Sequence, residues 1–358
     1  MPAVVIRDGR IVLPEGIIRG ELSIENGKIG TIALTGIPRG DVEIRARGGL
    51  VIPGAIDGHT HFYSRKYIYR ENFRTGSIAA AAGGVTTVAV SLLDDPIKTP
   101  KKAREVIEFG EKNSMVDFML HAGNLTPGSI KNMVKLASIG IRSFKVSNCY
   151  PNPCSYEGMG RMMELATKLD SLMIAYPEDV VALREVRRKL IREGKRDILA
   201  YMQGHPAEAE ERGIEKIAEM ALRSNCPVHF APVTTESGSK VVSSYKKKRS
   251  RVTAETCPHY LVFSAEDFKR MGPWIKVSPP IRSPGDVAAL WSAIEDGTID
   301  MVTSGHAPTT KAEKMGKISV WGSPSGIPSL ETLIPVLFTE GVARGRMSVE
   351  KMVSLLSS

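Results

Sequence analysis

Eight short apolar segments recur between residues 51 and 304, and their spacing limits the fold more than any other feature of this sequence. They read "VIPGAID" (51–57), "VTTVAV" (85–90), "MVDFML" (115–120), "IRSFKV" (141–146), "SLMIAY" (171–176), "CPVHFA" (226–231), "RVTAET" (251–256) and "IDMVTS" (299–304). Between them lie stretches with helical spacing, such as "TPKKAREVIEFGEK" and "AEAEERGIEKIAEMALRS", the latter with Ile214, Ile217, Ala218 and Ala221 on one face. Strands that alternate with helices build a parallel sheet wrapped by helices. Eight such units predict an α/β chain, a TIM (β/α)8 barrel with its functional residues at the strand C-terminal ends. A doubly wound open sheet is the alternative, and the first strand lacks the glycine-rich dinucleotide fingerprint that would favour it.

Residues 1–50 have a different texture, with short strands separated by polar turns, and predict a small β-sandwich layer ahead of a barrel domain spanning 51–358. Asp8-Gly9 and Asn26-Gly27 are the hairpin signals within it. With 358 residues, 42% of them hydrophobic, the chain can bury a large core. The N-terminus has no secretory pattern and no segment approaches a membrane span of roughly 20 apolar residues, so a cytoplasmic protein is expected. Cys149, Cys154, Cys226 and Cys257 show no CxxC metal spacing and read as reduced thiols. The net charge of +9 includes the run "KKKRSR" (246–251), but no aromatic residues interleave with it. It reads as a solvated turn, and no nucleic-acid or membrane partner is expected.

Directly after the first barrel strand comes "DGHTH". On an extended strand residues i and i+2 share a face, so His59 and His61 can point at one cation. Lys145 sits in "SFKVSNCY" between Phe144 and Val146. A lysine inside a barrel must be paired, covalently modified or neutral, because burying a lone ammonium is costly.

The ordered set "GAIDGHTH", "RTGSIAAAAGGVTTV", "SFKVSNCY", "AYPEDVVALREVRRKLIREGK", "ETCPHYL", "KVSPPIR", "GHAPTTKAEK" and "SGIPSLET" resembles the cyclic-amide branch of the amidohydrolase superfamily: dihydroorotases, hydantoinases, dihydropyrimidinases and allantoinases. The resemblance runs from about residue 3 to the end. It implies two divalent metals, usually zinc, that activate a bridging hydroxide to open a cyclic amide. One metal would be held by the HxH pair, a carbamylated lysine and an aspartate after the eighth strand; the other by the same lysine and histidines after strands five and six. His59, His61 and Lys145 match this pattern as metal ligands.

Three positions depart from it. Tyr176 in "YPED" stands where the family has a histidine, Pro232 in "VHFAPVT" stands at another ligand position while His229 is retained, and Gly305 in "SGHAP" replaces the aspartate. Proline and glycine offer no ligand atom, and a phenol with a pKa near 10 is a poor zinc ligand at neutral pH. At most one zinc or other divalent ion per chain is therefore expected, with none as the alternative, and without a metal pair Lys145 is expected to stay a plain amine. His121, after the third strand, is the best placed substitute ligand, with a satisfied core histidine as its other reading.

For the substrate, the resemblance assigns Tyr150 and Ser278 to hydantoinase-type positions that meet the ring. Tyr63 stands where dihydroorotases carry an arginine for the substrate carboxylate, Arg65 is near enough in sequence to serve instead, and Ser325 replaces a ring-contacting asparagine. A small cyclic amide or ureide ligand and a homo-oligomer are implied. The family continues for some tens of residues past the equivalent of Ser358 and closes the small β-layer, so residues 1–50 alone would leave an open edge. Two functions follow: a cyclic amidohydrolase with a degraded binuclear site, or a catalytically inactive pseudoenzyme that binds or assembles, as the collapsin response mediator proteins do.

Overall fold

The computed structural model describes residues 2–62, 64–149, 153–316 and 319–357. By packing, the chain divides into one unit of residues 1–55 with 337–358 and a larger unit of residues 56–336.

The small unit is a five-stranded sheet made of β1 (Val4–Leu13), β2 (Gly16–Glu25), β3 (Lys28–Ala33), β4 (Val42–Arg45) and β5 (Leu50–Val51), in the order β3-β2-β1-β4 with β5 also on β1. Asn26-Gly27 is the β2–β3 turn, with φ of 52° and 74°, the pair of positive angles that a two-residue hairpin of this twist demands. Asp8-Gly9 is not a hairpin. It lies inside β1 as a bulge, where the register against β2 shifts between Ile6 and Gly9 and Asp8 takes φ 52°. The same preference of Asp-Gly for positive φ serves both motifs, so the dipeptide alone cannot separate them.

The large unit is the barrel. Its strands are β6 (Ala55–Thr60), β7 (Val85–Val90), β8 (Asp117–Leu120), β9 (Ser143–Ser147), β10 (Leu172–Tyr176), β11 (Val228–Phe230), β12 (Val252–Thr256) and β13 (Met301–Val302). All eight expected segments carry one. They run in the orders β6-β7-β8 and β9-β10-β11-β12-β13. Parallel bridges join the two sets: Ala122 to Phe144 beside β8 and β9, and Thr60 to His306 beside β6 and β13. The His61 amide donates to the His306 carbonyl at 2.7 Å, and the Lys145 amide to the Ala122 carbonyl at 2.7 Å. Both seams thus carry residues that matter below.

The helix Ala207–Ser224 buries Ile214, Ile217, Ala218 and Ala221, the face read from the sequence, and ends on Asn225 in the left-handed conformation. Gly213 lies on this helix where it meets the loop after β10. A Cβ there would stand 1.8 Å from the Pro177 carbonyl oxygen and 3.1 Å from the Asp179 amide. The helix therefore presses against the backbone on which Tyr176 and Glu178 stand. Among the described residues no helix is long and apolar enough to cross a membrane. The run 246–251 ends the helix Glu236–Lys247, and Lys246 pairs with Asp300 at 2.7 Å.

In an ordinary helix interior Gly→Ala is worth about 1 kcal/mol in favour of alanine. At position 213 the backbone clash should outweigh that gain, so Gly213→Ala is expected to lose about 1–3 kcal/mol of stability. Urea unfolding monitored by tryptophan fluorescence checks it, and an unchanged midpoint refutes the close approach.

Candidate metal centre

Strand alternation turns His59, Lys145, His229 and Glu255 into the barrel from β6, β9, β11 and β12, and all four are buried. The carboxylate of Glu255 joins them. One oxygen pairs with His59 Nδ1 and the other with His229 Nε2 at 3.0 Å. The Lys145 ammonium donates to His59 Nε2 at 3.0 Å, and His229 Nδ1 meets the Thr253 hydroxyl at 2.8 Å.

These partners fix where the protons are. Burial pushes His59 and His61 below the ordinary imidazole pKa, and Lys145 lowers His61 further, so both rings are neutral. His61 Nδ1 lies 2.8 Å from the Ser91 carbonyl, which can only accept, so His61 carries its proton on Nδ1. Burial raises the Glu255 pKa, but His59 and His229 outweigh it and hold the carboxyl well below its usual range. An ionised carboxylate also only accepts, so His59 carries its proton on Nδ1 too. The Nε2 lone pairs of His59 and His61 then face each other at 2.9 Å. The Lys145 ammonium, 3.0 Å from His59 Nε2, is the cation that the structure supplies there. Burial brings the Lys145 amine down to about 8, with Glu255 acting in the opposite sense.

The donor set therefore fits one cation: two imidazole nitrogens whose far sides are held by a carboxylate and a backbone carbonyl, with an amine alongside. Among the described residues no group of three or more His, Cys, Asp or Glu side chains is arranged to hold a metal, and Lys145 Nζ lies 3.0 Å from His59 Nε2. His121 does not join. Its Nε2 donates to the Gly58 carbonyl at 3.1 Å and its Nδ1 accepts from the Ser143 hydroxyl at 2.6 Å, which satisfies the ring as a core residue. Asp57 ties the seam, its Oδ1 accepting from the His59 and Ser304 amides at 3.1 Å each, while burial lifts its pKa to about 6.

At the other departures from the family pattern there is no second donor cluster among the described residues. Tyr176 donates to Glu178 at 2.7 Å and lies 2.9 Å from Ser278 Oγ. Glu178 is itself held by His205 Nδ1 at 2.9 Å and by Arg282, which also reaches Glu210 at 3.3 Å. His205, Arg282 and Tyr176 overcome the effect of burial and keep the Glu178 carboxyl below its ordinary pKa. Since that carboxylate only accepts, Tyr176 spends its single proton there and must receive the Ser278 hydroxyl. Gly305 has φ 58°, and a Cβ on it would stand 2.7 Å from Cys257 Sγ.

Of the other substrate-binding positions expected from sequence, Tyr150 and Tyr63 lie outside the described residues. Arg65 is exposed and its guanidinium pairs with Glu105 at 2.8 Å. Ser325 is drawn to a cavity that it shares with His61, Ser64, Arg70, Glu71 and Asp94. Sequence reasoning missed Glu255, Glu178 and Arg70; the last is bound through its guanidinium to Glu313 at 2.6 Å. The one available signal for Glu255 was a charged residue in an otherwise uncharged barrel strand, two positions before "CPHYL".

Comparison with known proteins identifies the family. Residues 50–351 match the amidohydrolase family. A dihydroorotase from Carboxydothermus hydrogenoformans is 32% identical over 98% of this chain and 81% of its own length. An allantoinase from Rubrobacter xylanophilus is 30% identical over 99% of this chain and 79% of its own. Among solved structures, the L-hydantoinase (dihydropyrimidinase) from Arthrobacter aurescens superposes with a TM-score of 0.95 at 26% identity, covering 99% of this chain and 81% of that one.

Restoring a carboxylate at position 305 meets both the positive φ and the Cys257 sulfur. Gly305→Asp alone is expected to cost about 1–3 kcal/mol, and Cys257→Ala in the same chain should recover part of it. Thermal unfolding of the single and double variants decides; a fully stable single variant shows that the sulfur does not block the site.

Proposed function

Because this chain belongs to the amidohydrolase family, we propose that it is a cyclic amidohydrolase homologue of the hydantoinase/dihydropyrimidinase or dihydroorotase kind whose site takes one divalent ion, zinc or another, in place of two. The observation that carries this reading is the pair of Nε2 atoms of His59 and His61 facing each other at 2.9 Å beside Lys145. Those three residues would hold the ion, which when bound supplies Lewis acidity and lowers the pKa of attached water from about 15.7 towards about 7. Lys145, which donates to His59 in the metal-free protein, would give up that proton and bind the ion as an uncarbamylated amine.

The rest falls to this chain's own groups. Ser278, with its proton committed to a tyrosine, presents lone pairs to a ring N–H, and Tyr150 is assigned the neighbouring contact. Relatives named for dihydroorotate, allantoin and hydantoin chemistry share the scaffold, so a cyclic amide or ureide is the substrate class. Gly305 brings no carboxylate to the end of the eighth strand, which removes a general-base contribution of about 10²–10⁴ in rate. Ring opening is therefore slow relative to the two-metal relatives.

A second reading, binding or assembly without turnover, is favoured by one observation. Tyr176 stands where the family has a ligand, and its hydroxyl is committed to Glu178 and Ser278.

Protein purified without chelator is expected to hold no more than one equivalent of zinc by elemental analysis, and two equivalents overturn the one-ion reading. Hydrolysis of dihydrouracil, hydantoin, allantoin and dihydroorotate then separates the two functions. Slow ring opening that is lost on chelation and regained with zinc supports the hydrolase. Saturable binding with only the background rate supports the pseudoenzyme.

A further inference from the structure

We propose that Glu255 is the positioning residue of this site: one carboxylate that imposes opposite tautomers on two histidines and thereby aims the His59 lone pair at the cation position. The inference rests on the one-ion reading above and adds to it a residue that does not touch the ion.

The argument is one of proton counting. Glu255 is 1% exposed and both its oxygens face imidazoles, His59 Nδ1 on one side and His229 Nε2 on the other. A carboxylate has no proton to give, so each ring must donate to it. His59 then has Nδ1–H and an unprotonated Nε2 that accepts from Lys145 in the metal-free protein, whereas His229 has Nε2–H and an Nδ1 that accepts from the Thr253 hydroxyl at 2.8 Å. The two rings come from strands on different parts of the barrel wall, β6 and β11, and Glu255 comes from a third, β12. Only the His59 arm leads to the cation position, through Nε2 to His61 Nε2 at 2.9 Å and Lys145 Nζ at 3.0 Å. The His229 arm anchors the carboxylate from behind. A metal-bound histidine whose other nitrogen donates to a carboxylate is oriented and made more basic by it, and loss of such a partner typically costs about 10–100-fold in metal affinity.

Glutamine at 255 cannot reproduce this. Its amide has one accepting end and one donating end, so it can satisfy both rings only if one of them changes tautomer.

The test uses zinc alone as the probe, with two readouts on the wild type, Glu255→Gln and Glu255→Asp. In metal-free protein, ring 15N shifts of assigned histidines should show His59 as the Nδ1–H and His229 as the Nε2–H tautomer, with at least one of the two switched in Glu255→Gln. Zinc affinity, measured by competition with a chromophoric chelator, should fall about 10–100-fold in Glu255→Gln and less in Glu255→Asp, which keeps the charge. Near-UV circular dichroism establishes that each variant is folded. If Glu255→Gln fails to fold, Glu255→Asp is judged alone, and it must weaken zinc binding measurably while keeping both tautomers. Unchanged tautomers in Glu255→Gln, or zinc affinity equal to wild type in every folded variant, overturn the proposal. A wild type that binds no zinc refutes the one-ion reading instead, and the tautomer measurement still decides the role of Glu255.

Discussion

An amine buried inside a barrel is the constraint on which the rest of this site depends. Lys145 is 8% exposed, and an isolated ammonium there would either lose its proton or open the barrel to water. The chain resolves this at one remove. Lys145 donates to His59, and His59 passes the interaction through its ring to the Glu255 carboxylate. Four strands are fixed relative to one another by that chain of contacts: β9, β6, β12 and β11. Buried ion pairs of this sort are often matched or exceeded in stability by apolar residues of the same volume. Stability by itself therefore gives no reason for placing these groups inside the barrel.

A second buried network lies past the end of β10, and its logic is different. Glu178 and Glu210 share Arg282, His205 completes the set, and Thr234 and Thr235 satisfy Glu210 from the loop after β11. Every member is paired, which is the condition for such a network to rigidify its surroundings. Its free end is the hydroxyl of Tyr176 and, beyond it, Ser278. The first network ends where the Nε2 atoms of His59 and His61 face each other at 2.9 Å; the second ends at the exposed Ser278 hydroxyl. In each network a buried carboxylate sets the hydrogen-bonding direction of the groups beyond it.

Much of the scaffold was legible because burial leaves a periodic trace. Eight apolar segments gave eight strands, and the 3.6-residue spacing of Ile214, Ile217, Ala218 and Ala221 gave the buried face of a helix. Asp8-Gly9 misled because a bulge and a hairpin ask the same thing of φ. In the site, His59, His61 and Lys145 converge as the sequence pattern suggested, since i and i+2 spacing and strand position determine which way they point. Glu255 and Glu178 were not legible. Their importance lies in contacts with residues 196 and 27 positions away, and a lone acidic residue carries no periodicity that would announce such a partner. Arg65 shows the converse, for closeness in sequence to the histidines did not keep it from pairing with Glu105 on the surface.

The pattern of what matches the family and what departs from it follows the hydrogen-bond ladders. His59, Lys145 and Glu255 lie within strands, where each backbone amide and carbonyl is bound to a neighbouring strand and each side chain is locked by parallel register. His61 lies one residue past β6, yet its ring is pinned to the Ser91 carbonyl and its amide to that of His306. The three departures sit at the limits of this control: Tyr176 is the last residue of β10, Pro232 is two past the end of β11, and Gly305 is three past the end of β13. Proline, which removes a backbone donor, and glycine at positive φ are tolerated there because no ladder position is lost. A barrel built this way can exchange the ligands at its rim without disturbing its wall, whereas a change at His59, Lys145 or Glu255 would strand a buried charge. The strand ladders therefore fix His59, Lys145 and Glu255 more firmly than they fix Tyr176, Pro232 and Gly305.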